Sequence, residues 1–184
     1  MYEPYIKTIL ETTNHCKTPL VSPYFIGIDG LSGAGKSCFA SELSSVLANS
    51  QIVCLDDFYD NTIYSIDLSE AFRVLNSLQK NTPVSYFPYD WNLRNKSSCS
   101  VYRVTTNIVI VEGVYALKSM LLPLYSFKVW LNCEATEAFS RALNRDLEFD
   151  SEIKKLWLDH WLPCEHKYVE EYSPSSIADL VVNA

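Results

Sequence analysis

Gly30-Leu31-Ser32-Gly33-Ala34-Gly35-Lys36-Ser37 is the stretch whose reading decides the fold. It fits the phosphate-loop pattern G-x-x-x-x-G-K-[ST], in which glycines let successive backbone N–H groups turn inward around a phosphate without Cβ interference. The pattern requires a strand before the loop and a helix after it, because the helix aims unpaired N–H groups and the positive end of its dipole at the anion. Both are present in the sequence. Tyr24-Phe25-Ile26-Gly27-Ile28-Asp29 is an apolar run of strand length, consistent with burial on both faces, and Phe39, Leu43, Val46 and Leu47 fall on one face at helical spacing. In this reading Lys36 reaches the outer phosphates of ATP and the Ser37 hydroxyl ligates Mg²⁺.

Composition sets the outer bounds. A chain of 184 residues with 48% hydrophobic and 20% charged residues suits one well-packed soluble domain, 1–184. No apolar run approaches the 18 residues of a membrane span, and Met1-Tyr2-Glu3-Pro4-Tyr5 has neither a basic nor an apolar leader region, so a cytoplasmic address with no membrane partner is expected. A formal net charge of −7 argues against a nucleic-acid partner, which clustered Lys and Arg would hold, but not against a small anion captured by a local field. The six cysteines lack any C-x-x-C pair and read as reduced thiols.

Working outward, residues 1–20 give an N-terminal helix built on Tyr2, Tyr5, Ile6, Ile9 and Leu10, stopping near Thr12-Thr13-Asn14-His15. Gln51-Ile52-Val53-Cys54-Leu55 is a strand ending on Asp56-Asp57-Phe58-Tyr59. Acids beyond the carboxyl end of a parallel strand face the same crevice as the loop, although two carboxylates there also suit a solvated turn or a helix cap. Asp67 precedes a helix with Ala71, Phe72, Val74, Leu75 and Leu78 inward, and Asp67 with Glu70 resembles a capping box. Pro83 to Trp91 is proline-punctuated and too irregular for a helix; Tyr89 and Trp91 either hold a planar ring or anchor the loop. Val101–Thr105 suggests a short strand, and Ile108-Val109-Ile110-Val111 a buried one that ends on Glu112-Gly113, where a carboxylate meets Mg²⁺ or its water shell.

Phe127-Lys128-Val129-Trp130-Leu131 is a further strand. From Glu134 a helix continues the chain with Ala135, Ala138, Phe139 and Ala142 on its buried side and Arg141 and Arg145 on another face, free for a phosphate or paired with Glu137 and Asp146. Ile153, Leu156, Trp157 and Trp161 keep helical spacing until Pro163 is expected to interrupt, with a helix resuming over Glu165–Tyr172. That break rules against a metal site at His160, Cys164 and His166. Ala178 to Val182 reads as a last strand.

Several of these motifs resemble the uridine/cytidine kinase-like branch of phosphate-loop kinases, with phosphoribulokinase and nicotinamide riboside kinase as relatives. Asp56-Asp57-Phe58-Tyr59 is similar to that family's Asp-[Asp/Ser]-Phe-Tyr, Tyr89-Asp90-Trp91 to its Tyr-Asp-Phe/Trp, and Glu112-Gly113 with Ala116-Leu117 to its Glu-Gly-x-x-Ala-Leu. Ser140-Arg141-Ala142-Leu143-Asn144-Arg145-Asp146 is similar to its lid, Ser-Arg-Arg-x-x-Arg-Asp, with Ala142 in place of the second Arg. Asp67-Leu68-Ser69 departs from its Asp-His-Pro, whose Asp holds ribose hydroxyls. A basic residue expected beyond the lid is missing at the acidic 147–150, with Lys154 and Lys155 as substitutes.

The resemblance implies a catalytic set of Asp56 as general base, Lys36 and Arg145. It implies nucleotide binding by Gly30, Leu31, Ser32, Gly33, Ala34, Gly35, Lys36, Ser37, Cys38 and Arg141. Tyr59, Asp67, Tyr89 and Trp91 join Asp56 at the acceptor, and Ser37 and Glu112 hold the metal. The strand and helix alternation itself gives a three-layer α/β/α fold with a mainly parallel sheet and a short helical lid over about 137–160. The expected activity is ATP- and Mg²⁺-dependent transfer of a phosphoryl group to a hydroxyl of a small acceptor, a nucleoside or ribosyl compound. The alternatives are a pantothenate-like or sugar acceptor, or a nucleotide-binding regulatory protein without turnover. Self-association is left open.

Overall fold

The computed structural model describes residues 2–13, 23–104, 106–147 and 153–184. In chain order the first half holds α1 (Glu3–Thr13), β1 (Tyr24–Gly30), α2 (Lys36–Val46), β2 (Ser50–Cys54), a 3₁₀ turn (Leu55–Phe58) and α3 (Leu68–Gln79). Four short strands come next, β3 (Val84–Tyr86), β4 (Tyr89–Asp90), β5 (Asn95–Lys96) and β6 (Val101–Arg103), paired antiparallel as β3–β6 and β4–β5. The second half holds β7 (Ile108–Glu112), β8 (Phe127–Asn132), α4 (Ala135–Leu147), α5 (Ile153–Leu156), α6 (Leu162–Tyr172), α7 (Pro174–Ile177) and β9 (Leu180–Asn183).

The central sheet has the order β2-β7-β1-β8-β9 and every pairing in it is parallel. Side chains alternate between its two faces, as strand geometry requires. Ile26, Ile28, Ile108 and Ile110 pack on Ile6 and Ile9 of α1 and Phe39 and Leu43 of α2, while Phe25, Val53, Val109 and Val111 pack on Ala71, Val74, Leu75 and Leu78 of α3. The result is the expected three-layer α/β/α arrangement. The insertion of β7 between β1 and β2 decides which groups share a crevice: in register, Glu112 stands beside both Ile28 and Cys54. Three strand ends, carrying the loop, the Asp56 turn and Glu112, therefore open into one cleft.

Several local expectations need correction. Val46 is 52% exposed, because α2 ends there and its inward apolar residues are Phe39, Ala40 and Leu43, while Leu47 is buried beyond the helix end. Ala135 sits exposed in the first turn of α4. The stretch Pro83–Trp91 is built into two small hairpins. The strand expected over 101–105 ends at Arg103, and Thr105 lies outside the described residues, as do residues 14–22 with Cys16 and His15. The five described cysteines are free thiols.

Pro163 does not interrupt its helix. From Ile153 to Tyr172 the chain runs as one helical rod, with a π turn over Trp157–Trp161 immediately ahead of the proline. A proline removes one donor and crowds the carbonyl four residues back; a wider turn at that point gives the ring room, so the helix continues. Among the described residues no helix is long and apolar enough to cross a membrane.

Candidate active site

A cleft of about 930 Å³ opens over the carboxyl ends of β1, β2 and β7. Its floor is the phosphate loop. Gly33 and Gly35 adopt φ +81° and +94°, in the left-handed region that glycine accepts without strain. Gly35 caps α2, whose first amides receive no side-chain cap, so they remain open to an anion. Lys36 is buried and donates from Nζ to the Leu31 carbonyl oxygen at 3.0 Å. Gly30, Leu31 and Ala34 form the loop behind the lining residues Ser32, Gly33, Gly35, Lys36, Ser37 and Cys38.

The two residues expected at the metal meet directly: Ser37 Oγ donates to Glu112 Oε1 at 3.2 Å. A hydroxyl and a carboxylate side by side below a phosphate-binding loop are the hard oxygen donors that Mg²⁺ takes. Asp56 lines the same cleft from the 3₁₀ turn after β2. Burial, reinforced by the Glu112 carboxylate and opposed by Lys36 and Arg145, pushes its carboxyl up to about 6. Its neighbour Asp57 is turned away, accepting from the Tyr86 hydroxyl at 2.6 Å with Arg103 at 3.8 Å. The adjacent carboxylates thus divide, one into the cleft and one into the scaffold of the β3–β6 hairpin.

An aromatic wall closes the far end of the cleft. The Tyr59 ring lies 5.0 Å from Trp91, 6.1 Å from Tyr89 and 6.3 Å from Trp161, centroid to centroid. Among the described residues the buried Tyr89 hydroxyl has no hydrogen-bond partner, although it stands in a cavity wall. A buried unpaired hydroxyl is costly, and a ligand hydroxyl or carbonyl would satisfy it.

Asp67 is the one expected acceptor residue that the fold keeps out. Its Oδ1 accepts from the backbone N–H groups of Ser69 (3.1 Å) and Glu70 (3.0 Å), capping α3, and it does not line the cleft. The reciprocal half of a capping box is missing too, since Glu70 is bound by Arg73 at 2.7 Å. Arg141 and Arg145 do reach the cleft, each held on the helix surface by an acid, Glu137 at 2.5 Å and Asp146 at 2.6 Å. Lys154 and Lys155 do not line it, and 148–152 lie outside the described residues.

Ala142 stands where the resemblance expects a second lid arginine. α4 lies directly on the phosphate loop: a Cβ on Gly33 would stand 2.1 Å from the Ala138 carbonyl oxygen and 2.9 Å from the Ala142 amide nitrogen. Ala138 and Ala142 are buried, and Ala142 packs on Trp157 and Trp161 at the edge of the cleft.

Trp157, Trp161 and Glu165 also line the cleft, although nothing local in the sequence marks them as site residues. The tryptophans carry a helical spacing that reads as core, and part of it is core: Trp157 and Trp161 pack on Ala142. Glu165 accepts from the Ser32 backbone N–H at 3.0 Å and from the Ser32 hydroxyl at 2.6 Å, a contact spanning 133 residues of chain that no local pattern announces. His160, one helical turn before Cys164, has its Nε2 2.8 Å from the Tyr64 carbonyl oxygen.

Loop, paired Ser37 and Glu112, Asp56 and overlying arginine helix come together in one cleft, an arrangement like that of P-loop small-molecule kinases. No family model matches the chain, but individual relatives do. It is 26% identical over 153 residues to a uridine kinase of Saccharomyces cerevisiae, covering 70% of this chain and 30% of that protein. It is 27% identical over 187 residues to a uridine kinase of Lactobacillus helveticus, covering 89% and 87%. A solved structure of a possible uridine kinase from Bacillus stearothermophilus superposes with a TM-score of 0.74 at 20% identity, covering 98% of both chains, and shares the fold. The chain is thus similar to uridine kinase-like P-loop kinases, and it spans under a third of the length of the yeast relative.

Proposed function

We propose that the protein transfers the γ-phosphoryl of ATP, with Mg²⁺, to a hydroxyl of a small acceptor, most simply a uridine- or cytidine-like nucleoside. One observation carries this reading: Asp56 lines the cleft that holds the Ser37–Glu112 pair and the Tyr59–Tyr89–Trp91 wall. The loop amides and Lys36 hold the phosphates, with Lys36 exchanging the Leu31 carbonyl for them. Ser37 and Glu112 would hold the metal ion, which supplies charge neutralisation across the phosphates. Asp56 orients the acceptor hydroxyl and takes its proton. Arg145 and Arg141 lie over the cleft, where a guanidinium stabilises charge developing on the transferred group. The aromatic wall stacks the acceptor ring, and the Tyr89 hydroxyl binds its polar edge.

The placement of Asp67 on the α3 cap favours a second acceptor class, one without a ribose diol to be held by that carboxylate. The test is ADP release with MgATP against nucleosides, nicotinamide riboside, pantothenate and sugars, with Lys36→Ala as control. Stimulation by uridine or cytidine, absent in the control, supports the nucleoside reading. Stimulation by a non-nucleoside alone moves the assignment to that acceptor, and none by any acceptor with ATP still bound favours a nucleotide-binding protein without turnover.

Asp56 also sets an expected pH dependence. A protonated carboxyl cannot accept a proton, and burial has raised this one to about 6 in the free protein. kcat/KM is therefore expected to be flat near pH 8 and to fall as the pH drops through about 6, approaching tenfold per pH unit below it. A profile still flat at pH 5 would remove Asp56 as the base.

A further inference from the structure

Several donors of the phosphate loop are engaged by the protein's own groups. Its lysine is spent on the Leu31 carbonyl oxygen, 3.0 Å from Nζ. Its Ser32 N–H and hydroxyl are both given to Glu165, at 3.0 Å and 2.6 Å. Glu165 is 5% exposed, lines the same cleft as Lys36 and Ser37, and belongs to no ion pair among the described residues. A buried carboxylate fastened to a loop amide holds the kind of donor that such loops offer to phosphate oxygens.

The anchor is reinforced one helical turn on. The Tyr168 hydroxyl donates at 2.6 Å to Asp29, whose other oxygen accepts the Gly30 N–H at 2.7 Å. α6 therefore grips the loop on both sides of Leu31, through Asp29 below and Ser32 above. The lower grip joins two buried groups that do not line the cleft. The upper one lies in the cleft, where an arriving triphosphate brings several negative charges against one fixed carboxylate.

We propose that Glu165 is a positioning residue for the nucleotide, a carboxylate that stands in for phosphate at Ser32 and is exchanged when phosphate arrives. Resting on the kinase reading, this makes Glu165 a determinant of nucleotide affinity. Its charge opposes the bound phosphates, and more strongly the more of them there are. A passive prop would act in the opposite direction, since its loss would loosen the loop and weaken every nucleotide alike.

The experiment needs no acceptor and no turnover. ATP and ADP are titrated, with Mg²⁺, into wild type, Glu165→Gln and Ser32→Ala, and binding is read from the fluorescence of Trp91, Trp157 and Trp161 in the cleft wall. Glutamine keeps the size and removes the charge, and thermal melting checks that each variant is folded. Glu165→Gln is expected to bind ATP about three- to tenfold more tightly than wild type, with a smaller gain for ADP. Ser32→Ala, which releases the hydroxyl half of the contact, is expected to shift ATP in the same direction by less. Unchanged or weaker ATP binding by folded Glu165→Gln overturns the proposal, as does an equal gain for both nucleotides. Wild type that binds neither nucleotide would remove the nucleotide reading and this proposal with it, whereas tight binding without turnover on any acceptor leaves the proposal standing and removes only the kinase activity.

Discussion

Asp56→Asn is expected to lower kcat by about 10²- to 10⁴-fold while leaving MgATP binding within a few-fold of wild type. The amide has the size of the carboxylate and can still hydrogen-bond an acceptor hydroxyl, but it cannot take its proton. The same substitution removes a negative charge facing Glu112, which raises the Asp56 carboxyl, so any change in nucleotide affinity should be towards tighter binding. Turnover by acceptor-dependent ADP release and affinity by titration separate the two effects. Near-normal turnover would show that the hydroxyl loses its proton elsewhere.

Asp29→Ala is expected to carry the largest stability loss, about 2–3 kcal/mol by urea unfolding. Asp29 is fully buried at the end of β1 and accepts from the Gly30 N–H (2.7 Å), the Leu117 N–H (2.8 Å) and the Tyr168 hydroxyl (2.6 Å). Alanine leaves three buried donors unpaired, which is offset in part by no longer burying a charge. The offset is visible in the carboxyl itself, which burial raises to about 6 against the pull of those hydrogen bonds and of Lys36. A folded-state value above the unfolded one means that this group's stabilisation is complete at low pH and is lost as the pH rises from the ordinary carboxylate range through about 6. The gap between wild type and Asp29→Ala should accordingly be wider at pH 5 than at pH 8. Asp29→Asn, keeping one acceptor oxygen, should fall between them; a loss below about 1 kcal/mol in alanine would mean that water or a neighbour replaces the carboxylate.

The parts of the site legible in the sequence are those written in consecutive residues at strand ends. The loop Gly30–Ser37, Asp56 and Glu112 each sit where an apolar run stops, and parallel sheets present such ends to a common crevice. Asp67 can be read two ways because a carboxylate before a helix is always a competent cap, and here the backbone amides of Ser69 and Glu70 win it. Glu165, Trp157 and Trp161 are illegible for a different reason. They reach the cleft only because a helix more than a hundred residues downstream is laid across the loop, and helical periodicity identifies a buried stripe without saying what it faces. Gly33 shows the converse: what reads only as a phosphate-loop glycine is also the residue whose missing Cβ lets the backbone of α4 rest on the loop. Pro163 misleads because a proline's effect depends on the turn preceding it, and the π turn at Trp157–Trp161 has no local signature.

That π turn divides the rod from Ile153 to Tyr172 into two arms with separate attachments. The first arm packs with α4 through Ile153 and Leu156, and the turn itself through Trp157 and Trp161; the second arm carries Glu165 and Tyr168 to the loop. A helix bends most cheaply where its hydrogen-bond ladder is already interrupted. The rod is thus a jointed lever with its fulcrum beside Pro163. Any swing of the first arm would strain a few residues at the joint and spare the second arm's mooring at Asp29. The rod's compliance is expected to gather at that single point of the backbone, apart from the contacts that hold the phosphate cradle.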